Sequence, residues 1–171
     1  MAPPLLKTVQ AAQEKLSRET DFYAWLLNQA DELRSRQPDF IDWDELAEEL
    51  DEIVALARTE VVSRLRNVLA HLLKWKYQAT RGDEDSWRNT IVRERLDLAL
   101  LLESKNLRNY LKETGYALAY QQARKAADNE MKLERRAWDQ LFPPTCEWDS
   151  ETTLDDEFFP LPKPKSNGYP R

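Results

Sequence analysis

Glycine, cysteine and histidine are scarce in this chain, and each shortage argues against a class of site. Only 3 of the 171 residues are glycine, too few to build a glycine-rich phosphate-binding loop. The single cysteine, Cys146, cannot form an internal disulfide, and one thiol is too few for a structural zinc site. The single histidine, His71, limits a metal site to one nitrogen ligand. We therefore expect no cofactor and no resident metal.

Long apolar runs are missing as well. No stretch approaches the roughly 18 consecutive apolar residues of a membrane span. Residues 1–14 lack the basic start and apolar centre of a secretory signal. These absences predict a soluble, cytoplasmic protein without a membrane partner.

The pattern that is present is helical. Valine and isoleucine are scarce beside leucine and alanine, and this composition favours helices over strands. We predict an all-α fold, with one helical bundle domain over residues 19–160. A weakly structured extension, 1–18, precedes it, and a flexible proline-rich tail, 161–171, follows it.

The bundle is predicted to form around the stretch 42–78, which contains no glycine or proline. At about 1.5 Å per residue, a straight helix of this stretch would be roughly 55 Å long, longer than a domain of this size. A break or kink is therefore expected between Leu56 and Glu60, leaving open one kinked helix or two helices. Asp42 and Glu45 resemble a capping box at its start. Its apolar residues recur every three or four positions and form one face: Leu46, Leu50, Ile53, Ala57, Val61, Leu65, Leu69 and Leu72.

Shorter amphipathic helices are predicted on either side of this central helix, with Gly115 as a weak point in the last of them. The segment 138–160 has little helical pattern but is rich in aromatic residues. Trp148, Phe158 and Phe159 are too apolar for a free tail, so this segment is expected to wrap around the helices.

Charge is segregated along the chain. Residues 41–60 carry eight acidic residues and one arginine, a net charge of −7, whereas 61–140 carry 16 basic and 11 acidic residues, a net charge of +5. The simplest interpretation is that the acidic helix start lies against the basic later helices. The overall charge of −6 argues against nucleic-acid binding as the main function.

Two groups of residues are candidate sites. Glu49, Glu60 and His71 form a candidate polar cluster, and a metal-assisted hydrolase using them is one alternative function. No Glu-x-x-His or His-x-x-x-His motif accompanies them, so we favour a structural His71 that makes one hydrogen bond, with Trp75 buried one turn later. A candidate basic face, which would support nucleic-acid binding as a second alternative, comprises Lys74, Lys76, Arg81, Arg88 and Arg93.

Five ordered segments carry a family resemblance. They are DFYAWL at 21–26, DWDELAEEL at 42–50, HLLKWKYQ at 71–78, SWRNTI at 86–91, and CEW at 146–148 followed by DDEFFP at 155–160. From about residue 21 to 160 the chain resembles the family known as domain of unknown function 29. The resemblance implies a helical bacterial protein, common in cyanobacteria, without an assigned activity. Members often carry glycine where this chain has LART at 56–59, which weakens the expectation of a sharp break there.

Since no catalytic motif is found, the favoured function is a non-enzymatic helical module that binds another macromolecule. The expected partner is a protein of unknown identity.

Overall fold

The computed structural model describes residues 22–36, 38–78, 84–131 and 141–163. No strand occurs among these residues, and the predicted all-α class is confirmed. The predicted extension, 1–18, and the tail residues 164–171 lie outside the described ranges. The helical elements are α1 (Phe22–Ser35), a 3-10 turn (Pro38–Phe40), α2 (Trp43–Tyr77), α3 (Glu84–Leu101), α4 (Lys105–Tyr110), a π-helical segment (Leu111–Gly115), α5 (Tyr116–Met131) and α6 (Ser150–Leu154).

The chain divides into two compact units, an N-terminal unit of residues 1–54 and a C-terminal unit of residues 55–171. In the N-terminal unit, Trp25 of α1 is fully buried. The buried Gln29 accepts a hydrogen bond at Oε1 from the backbone N–H of Asp42, at 2.8 Å. In a capping box, the carboxylate of Glu45 would accept a hydrogen bond from this N–H. Here the side chain of Gln29, on α1, accepts it instead.

Helix α2 runs from Trp43 to Tyr77 as one continuous helix, so the alternative of two helices separated between Leu56 and Glu60 is wrong. Thr59, a candidate cap for a second helix, instead donates its hydroxyl to the carbonyl oxygen of Ala55 at 2.9 Å. This is the i−4 bond that threonine makes inside a helix. With no glycine or proline in α2, nothing in the sequence forces the helix to stop.

The hydrophobic core lies in the C-terminal unit and is built on the second half of α2. Val61, Leu65, Leu69 and Leu72 are fully buried, as predicted. The first half of the same predicted face is not buried, since 56% of the surface of Leu50 is exposed. The residues that meet α2 in the core are Ile91 and Leu98 of α3, Ala119, Tyr120, Ala123 and Ala127 of α5, and Phe142.

The junction between α4 and α5 confirms the weak point expected at Gly115. The helix widens to a π-helical turn over Leu111–Gly115 before α5 begins. A Cβ atom at Gly115 would lie 3.2 Å from the ring of Tyr110, so a larger residue would press against that ring. Extra-residue turns of this kind interrupt α-helices at defined positions.

The segment 141–160 packs on the helices of the C-terminal unit, as predicted, and Arg95 holds it there. This side chain is only 2% exposed. Its guanidinium donates to three backbone carbonyl oxygens, those of Thr153 at 3.0 Å, Asp156 at 3.3 Å and Phe158 at 2.9 Å. Three bonds from one charged group compensate its burial and fix the path of the segment.

Aromatic rings complete the contact between α2 and the C-terminal segment. Trp75, near the end of α2, is half-buried, and its ring centroid lies 5.0 Å from that of Phe159. Phe158 packs edge-on against Trp148, with ring centroids 5.6 Å apart. These contacts explain why the apolar residues after Cys146 do not form a free tail.

Candidate functional site

The structure does not bring the predicted polar cluster together. Glu60 is exposed on α2, and its Oε1 accepts from Nε of Arg64 at 2.6 Å. His71 follows eleven residues later on the same helix, roughly 16 Å along its axis at about 1.5 Å per residue. Glu49 is buried and belongs to the N-terminal unit. Among the described residues, no group of three or more His, Cys, Asp or Glu side chains is placed to hold a metal ion.

His71 is held by a backbone group, as predicted. Its Nδ1 lies 2.9 Å from the carbonyl oxygen of Asn67, which can only accept, so Nδ1 carries the proton and donates. Burial lowers the pKa of His71 below its ordinary value, and the nearby Lys74 acts in the same direction. The imidazole is therefore neutral at pH 7.

A polar network that the sequence reading missed joins α2 to α3 around the buried carboxylate of Glu94. One oxygen of Glu94 accepts from Arg64 at 3.1 Å, and the other lies 3.4 Å from the amide nitrogen of Asn67 and 3.3 Å from Arg93. Arg64 also bonds Asp97. Both carboxylate oxygens of Glu94 are engaged by donors, so the network stabilises the helix pair and offers no open base for catalysis.

The predicted basic face does not form one open surface. Lys74 is buried, where its ammonium pairs with Glu130 and lies 4.9 Å from the ring centroid of Trp87. Lys76 pairs with Glu147 of the C-terminal segment. Two further predicted members are exposed on α3, namely Arg88 and Arg93, and Arg81 lies outside the described residues.

The thiol of Cys146 lies in a half-buried polar cluster of the C-terminal unit. The hydroxyl of Tyr116 lies 2.7 Å from the carbonyl oxygen of Trp148, 2.7 Å from Oγ1 of Thr153 and 3.3 Å from Sγ of Cys146. Burial raises the pKa of the Cys146 thiol. The thiol therefore stays protonated and is not activated as a nucleophile.

The first third of α2 exposes apolar side chains in a row, here called the α2 row and defined as Trp43, Leu50, Ile53 and Val54. Trp43, Leu50 and Val54 are separated by seven and four residues, which places them on one line along the helix. More than half of the surface of Leu50 and of Ile53, 56% and 55%, faces solvent. Two exposed carboxylates, Asp44 and Asp51, flank this line, whereas Glu45, Glu48 and Glu52 lie on the other side of α2 at about 100° per residue.

Helix α3 exposes a second row, here called the α3 row and defined as Val92, Leu96 and Leu100. The three residues recur every four positions and are 39%, 59% and 69% exposed. The opposite side of α3 is buried and contains Glu94 and Arg95 between its apolar residues. This helix therefore buries two charged side chains among its apolar ones and exposes three large apolar side chains, whereas an ordinary surface helix keeps its charged residues on the outer face.

Comparison with known proteins identifies a family and no activity. None of the helices that the structure describes is both long enough and apolar enough to cross a membrane. No curated protein and no solved structure matches the chain. A family model described as a domain of unknown function, DUF29, matches residues 18–159. Because this match covers most of the chain and agrees with the resemblance of the five ordered segments, the chain belongs to the DUF29 family.

Proposed function

We propose that this protein is a non-enzymatic cytoplasmic module that binds a partner protein through the α2 row, and that the partner presents a basic amphipathic helix. The observation that carries the proposal is the exposure of Leu50 and Ile53 on a long, uninterrupted helix. Single apolar residues on a surface need no explanation, but a row of them at helical spacing is typical of a site that a partner covers.

The spacing of the α2 row suits a helical partner. Apolar residues separated by seven and four positions form the seam along which two helices pack. Trp43 stands at one end of this seam with 56% of its surface exposed, and tryptophan is enriched among the residues that dominate binding energy. An amphipathic helix laid along α2 would bury Trp43, Leu50 and Val54 together.

The negative charge of α2 around the row indicates that the partner is positively charged. Between residues 42 and 54 there are seven carboxylates and no lysine or arginine, a net charge of −7. A second copy of the same row would place carboxylates opposite carboxylates, which opposes association. A helix with lysine or arginine beside its apolar face would instead meet Asp44 and Asp51, which flank the row, and the negative charge of the surrounding stretch. Affinity should therefore fall as salt is added.

The proposal is tested with a synthetic peptide. The probe is an amphipathic helix with leucine at heptad positions a and d and lysine at e and g, and its twin carries glutamate in place of lysine. Isothermal titration should show binding of the lysine peptide and none of the glutamate twin. Leu50→Ser should weaken binding at least tenfold, since it removes a central apolar contact. Leu100→Ser, at a position of α3 that is 69% exposed against 56% for Leu50, is the matched control and should bind like the parent.

Equal binding of the two peptides, or binding that survives Leu50→Ser combined with Ile53→Ser, would overturn the proposal.

The same protein samples test the two alternative functions, nucleic-acid binding and metal-assisted hydrolysis. Salt-sensitive binding of single-stranded DNA that is lost when Arg88 and Arg93 are replaced by alanine would favour the nucleic-acid function. Hydrolytic activity with Mn²⁺ that is lost in Glu49→Gln would favour the hydrolase.

A further inference from the structure

We infer that Asp44 and Asp51 determine which helix the α2 row accepts, and that the partner helix carries its basic residues along one edge only and apolar residues along the other. The inference rests on the proposed function and deepens it, because it assigns the specificity of the same site. Its basis is a difference between the two edges of the row, of which one is acidic and the other apolar.

The exposed side chains in the first third of α2 follow a heptad pattern. Trp43 and Leu50 occupy position d, and Ala47 and Val54 occupy position a, so apolar residues recur at alternating steps of four and three along one seam. The next position a is Val61, which is fully buried in the core. The open part of the seam is therefore about two heptads long.

One edge of this seam is acidic. Asp44 and Asp51 directly follow the two d residues and therefore occupy position e, one heptad apart on the same side of α2. Both are exposed, and neither has a hydrogen-bond or ion-pair partner among the residues that the structure describes. Each carboxylate can therefore accept a lysine or arginine from a helix that lies along the seam.

The opposite edge carries no charge at the corresponding positions. Position g is occupied by Leu46 and Ile53, and Ile53 is 55% exposed. A lysine of the partner on this edge would lose water without meeting a carboxylate, which costs free energy. An apolar side chain there would instead bury Ile53. A helix with one basic edge therefore fits the seam better than a helix with two.

The other glutamates of this stretch do not border the seam. They occupy the outer positions b, c and f of the heptad, on the other side of α2, and are Glu45, Glu48, Glu49 and Glu52. Their negative charge attracts a basic partner from a distance, but a helix in the seam does not pair with them. The two aspartates at position e are the carboxylates that decide where the charges of the partner must lie.

Isothermal titration with two peptides tests the inference. The lysine-edge peptide has leucine at a and d, lysine at e and alanine at g, and its glutamine twin has glutamine at e. Each contains three heptads, because shorter helices are marginal in water. The parent should bind the lysine-edge peptide about fivefold more tightly than the glutamine twin, as two exposed ion pairs allow. It should also prefer the lysine-edge peptide to a peptide with lysine at both e and g. Dilution of each peptide alone corrects for its self-association.

Two double variants locate the charges that matter. Asp44→Asn combined with Asp51→Asn should abolish the preference for lysine over glutamine and leave the affinity for the glutamine twin unchanged. Glu48→Gln combined with Glu52→Gln removes the same charge from the other side of α2 and is the matched control, in which the preference should persist. Urea melts verify that both double variants are folded like the parent.

A preference for lysine that persists without Asp44 and Asp51, or that is lost equally in the control, would overturn the inference. Tighter binding of the peptide with lysine on both edges would overturn it as well. In each of these cases, binding of the glutamine twin that is lost in Leu50→Ser would still support the α2 row as the docking site. If neither peptide binds the parent, the proposed function itself is wrong, and so is the inference.

Discussion

The two units of the chain use the same helical pattern in different ways. Residues 1–54 carry 13 acidic and 5 basic residues, a net charge of −8, and the α2 row in this unit is exposed. Residues 55–171 carry 18 acidic and 20 basic residues, a net charge of +2, and contain the hydrophobic core. Helix α2 belongs to both. Its periodicity defines which residues share a face, but only packing by other elements decides whether that face is buried.

The two units also differ in the surroundings of their charged residues. In the C-terminal unit, buried charges are compensated by specific partners, such as the three carbonyl groups that accept from Arg95 and the donors around Glu94. In the N-terminal unit, the exposed Asp44 and Asp51 of α2 flank the exposed apolar side chains of the α2 row. We therefore assign stability chiefly to the C-terminal unit and propose that the N-terminal unit carries the binding site.

The difference between the two units is tested most strongly by shortening one leucine on each half of α2. Leu65→Ala should lower the free energy of unfolding by about 2 to 5 kcal/mol, because it leaves a cavity in a closed core. Leu50→Ala should change it by less than about 0.5 kcal/mol, because that side chain is largely in solvent already. Urea melts followed by circular dichroism measure both. Similar losses in the two variants would show that the α2 row is buried in solution.

A second test removes the charged group that holds the C-terminal segment. Arg95→Met keeps much of the side-chain volume but leaves the carbonyl groups of Thr153, Asp156 and Phe158 without their donor, at a cost of roughly 2 to 4 kcal/mol. Amide hydrogen exchange should rise over residues 150–160. Arg93→Met, at an exposed position of the same helix where the side chain bonds Glu94, is the control. Unchanged exchange in Arg95→Met would mean that aromatic packing alone holds the segment.

Trp75→Ala should have an intermediate effect. A fully buried aromatic residue costs about 3 to 5 kcal/mol when truncated, and Trp75 is half-buried against Phe159, so about 2 kcal/mol is expected. The loss should appear in urea melts, with peptide binding unchanged. A variant that melts like the parent but binds the peptide more weakly would place Trp75 in a binding surface instead.

The smallest expected effect is a pH dependence due to His71. Burial lowers its pKa in the folded protein below the ordinary value of 6.5, so protons bind the unfolded chain more readily. The free energy of unfolding should therefore fall as pH decreases below about 6.5, and His71→Gln should remove this contribution. As the chain has one histidine, its proton resonances report the pKa directly. A measured pKa above 6.5 would reverse the sign and contradict the assignment.

The sequence predicted those features that depend on local chemistry. The composition indicated helices, the periodicity of Val61, Leu65 and Leu69 identified the core face, and Gly115 marked the irregular turn. The apolar character of Phe158 and Phe159 correctly placed the last segment on the helices. In each case the signal lies in the residue itself or in neighbours within a few turns.

The features that the sequence reading missed depend on distant partners. Glu94 and Arg95 lie between inward-facing residues of α3, but charged residues are ordinarily assigned to the surface because their partners cannot be seen in the pattern. Lys74 is buried because Glu130 and Trp87 meet it from other helices. The break expected in α2 came from an argument about length, and the local chemistry of the helix did not support it.

One variant, Leu50→Ser, tests most directly whether the C-terminal unit provides stability and the α2 row provides binding. Its unfolding in urea and its titration with the lysine peptide are both measured. We predict that the variant melts within about 0.5 kcal/mol of the parent, as expected for an exposed position, while its affinity for the peptide falls at least tenfold. A variant that loses stability but keeps the peptide affinity of the parent would show that the first third of α2 is part of the core and that binding lies elsewhere.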